Sequence, residues 1–104
     1  MARPNRGEVW LVDLGYVAKT RPCLVLSVPT FDQDRVVVAH LAHTTTLRGT
    51  PYEVQVSVNF LKPGAFDAQN LATTSLSKSI RKLGELSPDQ MVQIEEAVRR
   101  WLGL

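Results

Sequence analysis

The chain has 104 residues, of which 44% are hydrophobic and 21% charged, with a formal net charge of +2. This length and apolar content support one hydrophobic core, so we expect a single domain over residues 1–104. Cys23 is the only cysteine, which excludes an intrachain disulfide and a cysteine-based zinc site and is typical of a reducing compartment. Since no run of apolar residues is long enough for a membrane helix, the sequence predicts a cytoplasmic protein.

Short apolar segments separated by turns make up most of the chain before residue 80. Residues 8–14, 23–28, 35–43 and 52–58 predict four strands because they are rich in Val, Leu and aromatic residues. Residues 66–74 predict a fifth strand that is unusually polar, since it contains Asp67, Gln69 and Asn70. We expect these strands to follow one another as an antiparallel meander.

The segment after residue 86 carries the signals of a helix start. Ser87 can cap the helix, Pro88 suits its first position, and Gln90 completes a capping box. An apolar stripe at helical spacing follows: Met91, Ile94, Val98 and Trp101. The predicted fold is therefore mainly β (α+β), a strongly bent antiparallel sheet or partial barrel with a C-terminal helix.

The two histidines do not indicate a metal centre. His40 and His43 are three residues apart, which places them on opposite faces of a regular strand. No acidic or cysteine cluster stands beside them at ligand spacing, so we expect neither a metal nor a cofactor. The same spacing disfavours an acid–base ribonuclease that uses two histidines. Cys23 lies within an apolar run, where a buried, inert thiol is the favoured interpretation.

Polar residues at two strand ends form the candidate reactive pair. Arg21 precedes the second strand and Thr44 follows the third, and antiparallel neighbours bring such positions together. A guanidinium and a hydroxyl that converge can bind a phosphate. The alternatives are a surface salt bridge for Arg21 and a turn-stabilising hydroxyl for Thr44.

Three ordered sequence blocks resemble the MazF/PemK toxin family. They are RGEVWLVD at residues 6–13, RPCLVLS at residues 21–27 and HTTTLRGTPYEV at residues 43–54. The similarity continues more loosely through the polar fifth strand to the final helix. The resemblance implies an SH3-like barrel with a C-terminal helix, usually a homodimer, which cleaves single-stranded RNA without metal and is inhibited by a cognate antitoxin.

Within this resemblance, Arg21 matches the catalytic arginine and Thr44 the catalytic threonine or serine of the family. The implied reaction is attack of the substrate's 2′-hydroxyl on phosphorus, which leaves a 2′,3′-cyclic phosphate and a 5′-hydroxyl. Such a reaction needs no nucleophile from the protein. Because arginine stays protonated at neutral pH, electrostatic stabilisation is its favoured role.

Further polar residues are candidates for RNA contact. Amides and hydroxyls in the fifth strand can read the base edges of unpaired nucleotides, and nearby cations can follow the phosphate backbone. The predicted RNA-binding residues are Thr45, Arg48, Gln69, Asn70, Thr73, Lys78, Arg81 and Lys82. The alternative interpretation is an ordinary edge strand with solvated charges.

The sequence departs from the family pattern at two places. The loop over residues 15–20 is shorter than in many members, and Ala72 stands where a basic residue is common. The cleavage sequence therefore cannot be transferred from relatives.

Two rival functions remain open. One is a non-cleaving toxin of the gyrase-poison kind, which does not need the Arg21–Thr44 pair. The other is an SH3-like module that binds proline-rich peptides, which needs an aromatic groove.

Overall fold

The described part of the chain is an antiparallel sheet with a helix at its C-terminal end. The structure, a computed structural model, describes residues 3–16 and 19–104, so Val17 and Ala18 of the short loop lie outside the described residues. The strands are β1 (Glu8–Asp13), β2 (Thr20–Val25), β3 (Val37–Thr44), β4 (Glu53–Val54), β5 (Ala65–Ser75) and β6 (Ser79–Glu85). A 3₁₀ turn, Leu76–Lys78, joins β5 to β6, and the helix α1 spans Pro88–Leu102.

The strand order differs from the predicted meander. It runs β4-β5-β3-β2-β1-β6, so β3 pairs with β5 and not with β4. β6 returns to pair with β1 and was not predicted, because most of its side chains are exposed and leave no apolar alternation. Among the described residues β4 and β6 are unpaired edges, so the sheet is barrel-like but not closed.

The fourth strand is much shorter than predicted. Only Glu53–Val54 pairs with β5, opposite Asp67 and Phe66. Val56 and Val58 still pack against the core, which explains their alternation with polar residues, but the described chain supplies them with no strand partner. The alternation of apolar and polar residues in this segment therefore reflects which side chains are buried and not which residues pair in the sheet.

Buried side chains lie on both faces of the sheet. Val9 and Leu24 belong to the main core, whereas Trp10 and Cys23 belong to a second buried cluster on the other face. This separation follows from the alternation of side chains along each strand. The helix α1 packs on the main core, to which it contributes the buried residue Ile94.

A large bulge in β5 explains the polarity of this strand. Leu41 and His43 of β3 are two residues apart, whereas their partners Leu71 and Phe66 in β5 are five apart. Three extra residues of β5 are therefore accommodated between these two pairs. Bulges bend a strand and redirect its side chains, and they are frequent beside functional sites. The polar residues of the predicted fifth strand lie in this bulged segment.

The helix begins as the sequence predicts. Ser87 Oγ accepts a hydrogen bond from the backbone N of Gln90 at 3.2 Å, and Gln90 Oε1 accepts one from the backbone N of Ser87 at 2.9 Å. The capping box is thereby confirmed. The prediction for Trp101 is only partly right, because 43% of its surface is exposed at the end of the apolar stripe.

Candidate active site

Arg21 lies at the start of β2, opposite the end of β3. Cys23 pairs with Ala42, so the same register places Arg21 opposite Thr44. The guanidinium Nη2 donates a hydrogen bond to the backbone carbonyl oxygen of His43 at 2.9 Å. This bond fixes one side of the guanidinium and leaves other N–H groups for a ligand, since arginine has five such donors.

Thr44 is the last residue of β3, and a turn follows it. Its Oγ1 accepts a hydrogen bond from the backbone N of Thr46 at 3.1 Å and donates one to the carbonyl oxygen of Thr46 at 3.3 Å, which is the turn-stabilising role expected of a threonine here. Arg21 and Thr44 nevertheless line the same cleft. The structure thus brings together the two residues that the sequence proposed as a pair, and the hydroxyl has both a structural contact and access to the cleft.

This first cleft, which we name the amide cleft, has a volume of about 450 Å³. It combines two cations with two carboxylates, two amides and an indole ring. Its lining residues are Arg21, Thr44, Thr46, Arg48, Glu53, Asp67, Gln69, Asn70 and Trp101. The β5 bulge supplies Asp67, Gln69 and Asn70, so the polar strand predicted from the sequence faces the same space as the Arg21–Thr44 pair.

Glu53 holds the turn that forms one wall of the amide cleft. Its carboxylate accepts hydrogen bonds from the backbone N of Arg48 at 2.9 Å, of Gly49 at 2.7 Å and of Thr50 at 3.3 Å. These bonds, led by that from Arg48, lower the pKa of Glu53 below its ordinary value. The carboxylate therefore stays ionised at neutral pH and keeps Arg48 at the cleft.

A second cleft, which we name the basic cleft, has a volume of about 410 Å³ and shares Arg21 with the first. It contains three cationic side chains, and none of the described residues that line it is acidic. Its lining residues are Leu11, Thr20, Arg21, Pro22, His43, Thr45, Phe60, Leu61, Lys62, Arg81 and Leu83. Arg21 therefore stands between two clefts of different charge.

Both histidines are buried and neutral at physiological pH. Burial lowers the pKa of His40 and of His43, and Arg21 nearby lowers that of His43 further. His43 packs against Phe66, with ring centroids 5.1 Å apart. His40 Nε2 forms a hydrogen bond with Thr74 Oγ1 at 3.1 Å. The sequence predicts that the two histidine rings lie on opposite faces of the strand, and their separate partners are consistent with this prediction.

The single thiol is poorly suited to nucleophilic chemistry. Cys23 is fully buried, and this burial raises its pKa to about 12 even though Arg21 acts in the opposite direction. Within residues 3–16 and 19–104, no three His, Cys, Asp or Glu side chains lie close enough to hold a metal ion together. No helix among the same residues is long and apolar enough to cross a membrane.

The predicted RNA-binding residues divide between the clefts and the surface outside them. Arg48, Gln69 and Asn70 line the amide cleft, and Thr45 and Arg81 line the basic cleft. The remaining three line neither cleft: Thr73, Lys78 and Lys82. Their contact with RNA stays a prediction.

Lys82 has protein partners on the opposite face of β6 from Arg81. Its Nζ lies 3.1 Å from Glu8 Oε2 and 3.9 Å from Glu85 Oε2. The hydrogen bond to Glu8 raises the pKa of Lys82. Glu8 Oε1 also accepts a hydrogen bond from Trp10 Nε1 at 2.9 Å, so this lysine belongs to a structural cluster.

Among the cleft residues that the sequence did not single out are Trp101, Lys62 and Glu53. Trp101 was predicted to lie in the apolar stripe of the helix, and Lys62 lies outside every predicted strand and helix. Glu53 was included in the predicted strand over residues 52–58 without a role of its own. No local signal distinguishes Trp101 from a core residue of the helix, or Lys62 from a solvated lysine.

Comparison with known proteins agrees with this geometry. Residues 5–102 match the family described as PemK-like, MazF-like toxin of type II toxin–antitoxin system. The chain belongs to this family. Endoribonuclease MazF1 of Mycobacterium bovis and endoribonuclease MazF4 of Mycobacterium tuberculosis are each 34% identical to it over 104 residues, covering 100% of this chain and 97% of the relative.

Solved structures of MazF-like toxins share the fold. A mycobacterial endoribonuclease in complex with its cognate antitoxin is 32% identical and superposes with a TM-score of 0.83, covering 97% of this chain and 96% of the other. MazF in the MazE–MazF complex of Deinococcus radiodurans also gives a TM-score of 0.83 at 19% identity, over 100% of this chain and 99% of the other, which indicates a common fold only. The predicted family and sheet-plus-helix architecture are thereby confirmed.

Proposed function

We propose that this MazF-like chain is an endoribonuclease toxin that cleaves single-stranded RNA without a metal ion. The observation that carries the proposal is the convergence of Arg21 and Thr44 on one cleft, at the boundary with a second cleft of positive charge. The family and the endoribonuclease relatives support the same activity. Unpaired RNA suits such a site because its bases and its 2′-hydroxyl groups are accessible.

The proposed reaction is an internal transesterification at the phosphate beside Arg21. The 2′-oxygen forms a bond to phosphorus and loses its proton, while the bond from phosphorus to the 5′-oxygen breaks and that oxygen takes up a proton. The products carry a 2′,3′-cyclic phosphate and a 5′-hydroxyl. Arg21 stabilises the charge that develops on the non-bridging oxygens, and Thr44 adds a neutral hydrogen-bond donor when its hydroxyl rotates from the Thr46 carbonyl oxygen to the phosphate.

The His43 carbonyl has an orienting role in this scheme. Its hydrogen bond to Arg21 Nη2 holds the guanidinium before substrate arrives. A charge that is positioned in advance stabilises a transition state more effectively than one that must reorganise. Arg21 therefore acts as a fixed cation, in a site whose neighbouring histidine is itself neutral.

We further propose that the toxin is a cytoplasmic homodimer inhibited by a cognate antitoxin. A mycobacterial relative of the same fold has been solved with its antitoxin. The basic cleft, with Arg21, Lys62 and Arg81, is suited to an acidic segment of such an inhibitor as well as to RNA. Occupation of this cleft would block the substrate directly.

The peptide-binding alternative has less support. A proline-rich ligand requires adjacent exposed aromatic rings. Trp10 is buried in the second cluster, whereas Tyr52 packs with the main core on the opposite face of the sheet. Trp10 therefore cannot join Tyr52 in one groove, and Trp101, which does contact Tyr52, lines a cleft of mostly charged and amide side chains and not an aromatic groove.

The decisive test compares RNA cleavage by the purified protein and by Arg21→Ala, both in EDTA. Arg35→Ala is the matched control, because Arg35 is exposed and lines neither cleft. We expect discrete fragments from the native protein and from Arg35→Ala, and at least a roughly 100-fold slower reaction from Arg21→Ala. Intact RNA with the native protein would overturn the proposal and favour the non-cleaving toxin, which a gyrase assay would test.

A further inference from the structure

The two clefts on either side of Arg21 differ in the groups they can accept. The basic cleft adds Lys62 and Arg81 to Arg21, which favours phosphate groups. In the amide cleft, Glu53 and Asp67 offset the positive charge of Arg21 and Arg48. A second phosphate is therefore disfavoured there, and a neutral, flat group with hydrogen-bonding edges is a better match.

Trp101 gives the amide cleft a surface on which a base can stack. The ring contacts Tyr52 edge-on, with centroids 5.3 Å apart, and 43% of the residue remains exposed. The end of the helix is fixed beside it, because Arg100 Nη1 donates a hydrogen bond to the carbonyl oxygen of Pro51 at 3.0 Å. A partly exposed aromatic ring held in this way is the usual platform for unpaired bases.

Asp67 gives the same cleft a hydrogen-bond acceptor. Its Oδ1 accepts a bond from the backbone N of Gln69 at 3.0 Å, which fixes the carboxylate at the bulge. A carboxylate has about four acceptor positions, so capacity for a ligand remains. The other carboxylate, Glu53, is already committed to the backbone of its turn. Asp67 is therefore the acidic group that can select a base.

We propose that the amide cleft is a base-recognition subsite, in which Trp101 stacks on the base next to the scissile phosphate and Asp67 selects its pairing edge. Guanine fits best because its N1–H and N2–H groups can donate together to one carboxylate. Uracil fits worst because carbonyl oxygens flank its single N–H donor. The position of the phosphate in this proposal rests on the proposed function, whereas the stacking and the base preference do not.

Tryptophan fluorescence tests the subsite directly. The chain has two tryptophans, and Trp10 is buried on the other face of the sheet, so quenching reports on Trp101. The probes are fully 2′-O-methylated five-nucleotide RNAs, UUXUU, which cannot undergo 2′-hydroxyl attack, with X as each of the four bases. We expect quenching with the tightest binding for X = G and the weakest for X = U.

Variants assign the effect to the two residues. Trp101→Ala should weaken binding of a labelled UUGUU probe by roughly 5- to 150-fold, the range for loss of one stacked base. Asp67→Asn should remove the preference for G, whereas Asp32→Asn, at an exposed aspartate that lines neither cleft, should retain it. Equal affinity for all four probes, or unchanged binding by Trp101→Ala, would overturn the subsite.

Cleavage of unmodified RNA by the same preparation separates this inference from the proposed function. Cleavage without base-dependent quenching would overturn the subsite and leave the nuclease intact. Base-dependent quenching without cleavage would support the subsite and overturn the nuclease.

Discussion

At the scale of single residues, strand pairing explains how far the sequence could predict the site. Arg21 and Thr44 are 23 positions apart, yet antiparallel pairing alone predicts that they meet. Trp101 could not be placed in the same way, because its helical spacing is also that of a core residue. Its exposure depends on where the helix ends relative to Tyr52, which is a tertiary property.

Glu53 is the residue whose contribution to the cleft is most directly testable. Glu53→Gln removes the negative charge that binds three consecutive backbone N–H groups, so the turn that carries Arg48 should lose its fixed position. A displaced substrate-binding group can cost roughly 10- to 100-fold in kcat/KM, and Arg48 is predicted to bind RNA without belonging to the reacting pair. We therefore expect a higher KM for RNA with a smaller change in kcat, measured at neutral pH.

Glu96→Gln is the matched control for Glu53→Gln, since Glu96 is an exposed glutamate of α1 that lines neither cleft. If Glu53→Gln cleaved RNA with native KM and kcat, the turn would not need its carboxylate. The role assigned to Glu53 would then be wrong.

At the scale of elements, a helix or strand could be predicted only where its own residues carry a local sequence signal. The helix start was predictable because capping is a local interaction between Ser87 and Gln90. β6 was not predictable, since an edge strand with exposed side chains shows no periodicity. The pairing of β3 with β5 is a long-range choice, and the bulge that it requires has no local sequence signature.

The helix cap should have a measurable effect on stability. Ser87→Ala removes the acceptor for the backbone N of Gln90 and should lower the free energy of unfolding by about 1 kcal/mol. Urea denaturation followed by circular dichroism measures this change. Ser57→Ala, at an exposed serine outside the helix, should have little effect. Equal stability of Ser87→Ala and the native protein would show that the cap is dispensable.

At the scale of the whole molecule, the buried histidines connect stability to pH. In the unfolded chain both histidines titrate near pH 6.5, whereas burial lowers the pKa of His40 and His43 in the folded protein. Below pH 6.5 the unfolded state therefore binds more protons than the folded state. Stability should be fully present above this pH and should decline as the pH falls from about 6.5 toward the folded pKa values.

Urea unfolding at pH 7.5 and pH 5.5 measures the predicted decline in the free energy of unfolding. Because few carboxylates titrate between these pH values, the change reports mainly on the histidines. Each histidine can contribute at most about 1.4 kcal/mol per pH unit. His43→Leu, which keeps an apolar contact for Phe66, should lose part of the pH dependence. Equal unfolding free energies of the native protein at the two pH values would contradict this linkage.

Attack by the 2′-hydroxyl of the substrate is tested most directly with two RNAs. The first has one mapped cleavage site, and the second is identical except that the nucleotide 5′ to the cut is a 2′-deoxynucleotide. We expect the native protein, in EDTA, to cut the first RNA to a 2′,3′-cyclic phosphate and a 5′-hydroxyl and to leave the second intact. Cleavage of the second RNA at the native rate, or products with a 5′-phosphate, would contradict this mechanism.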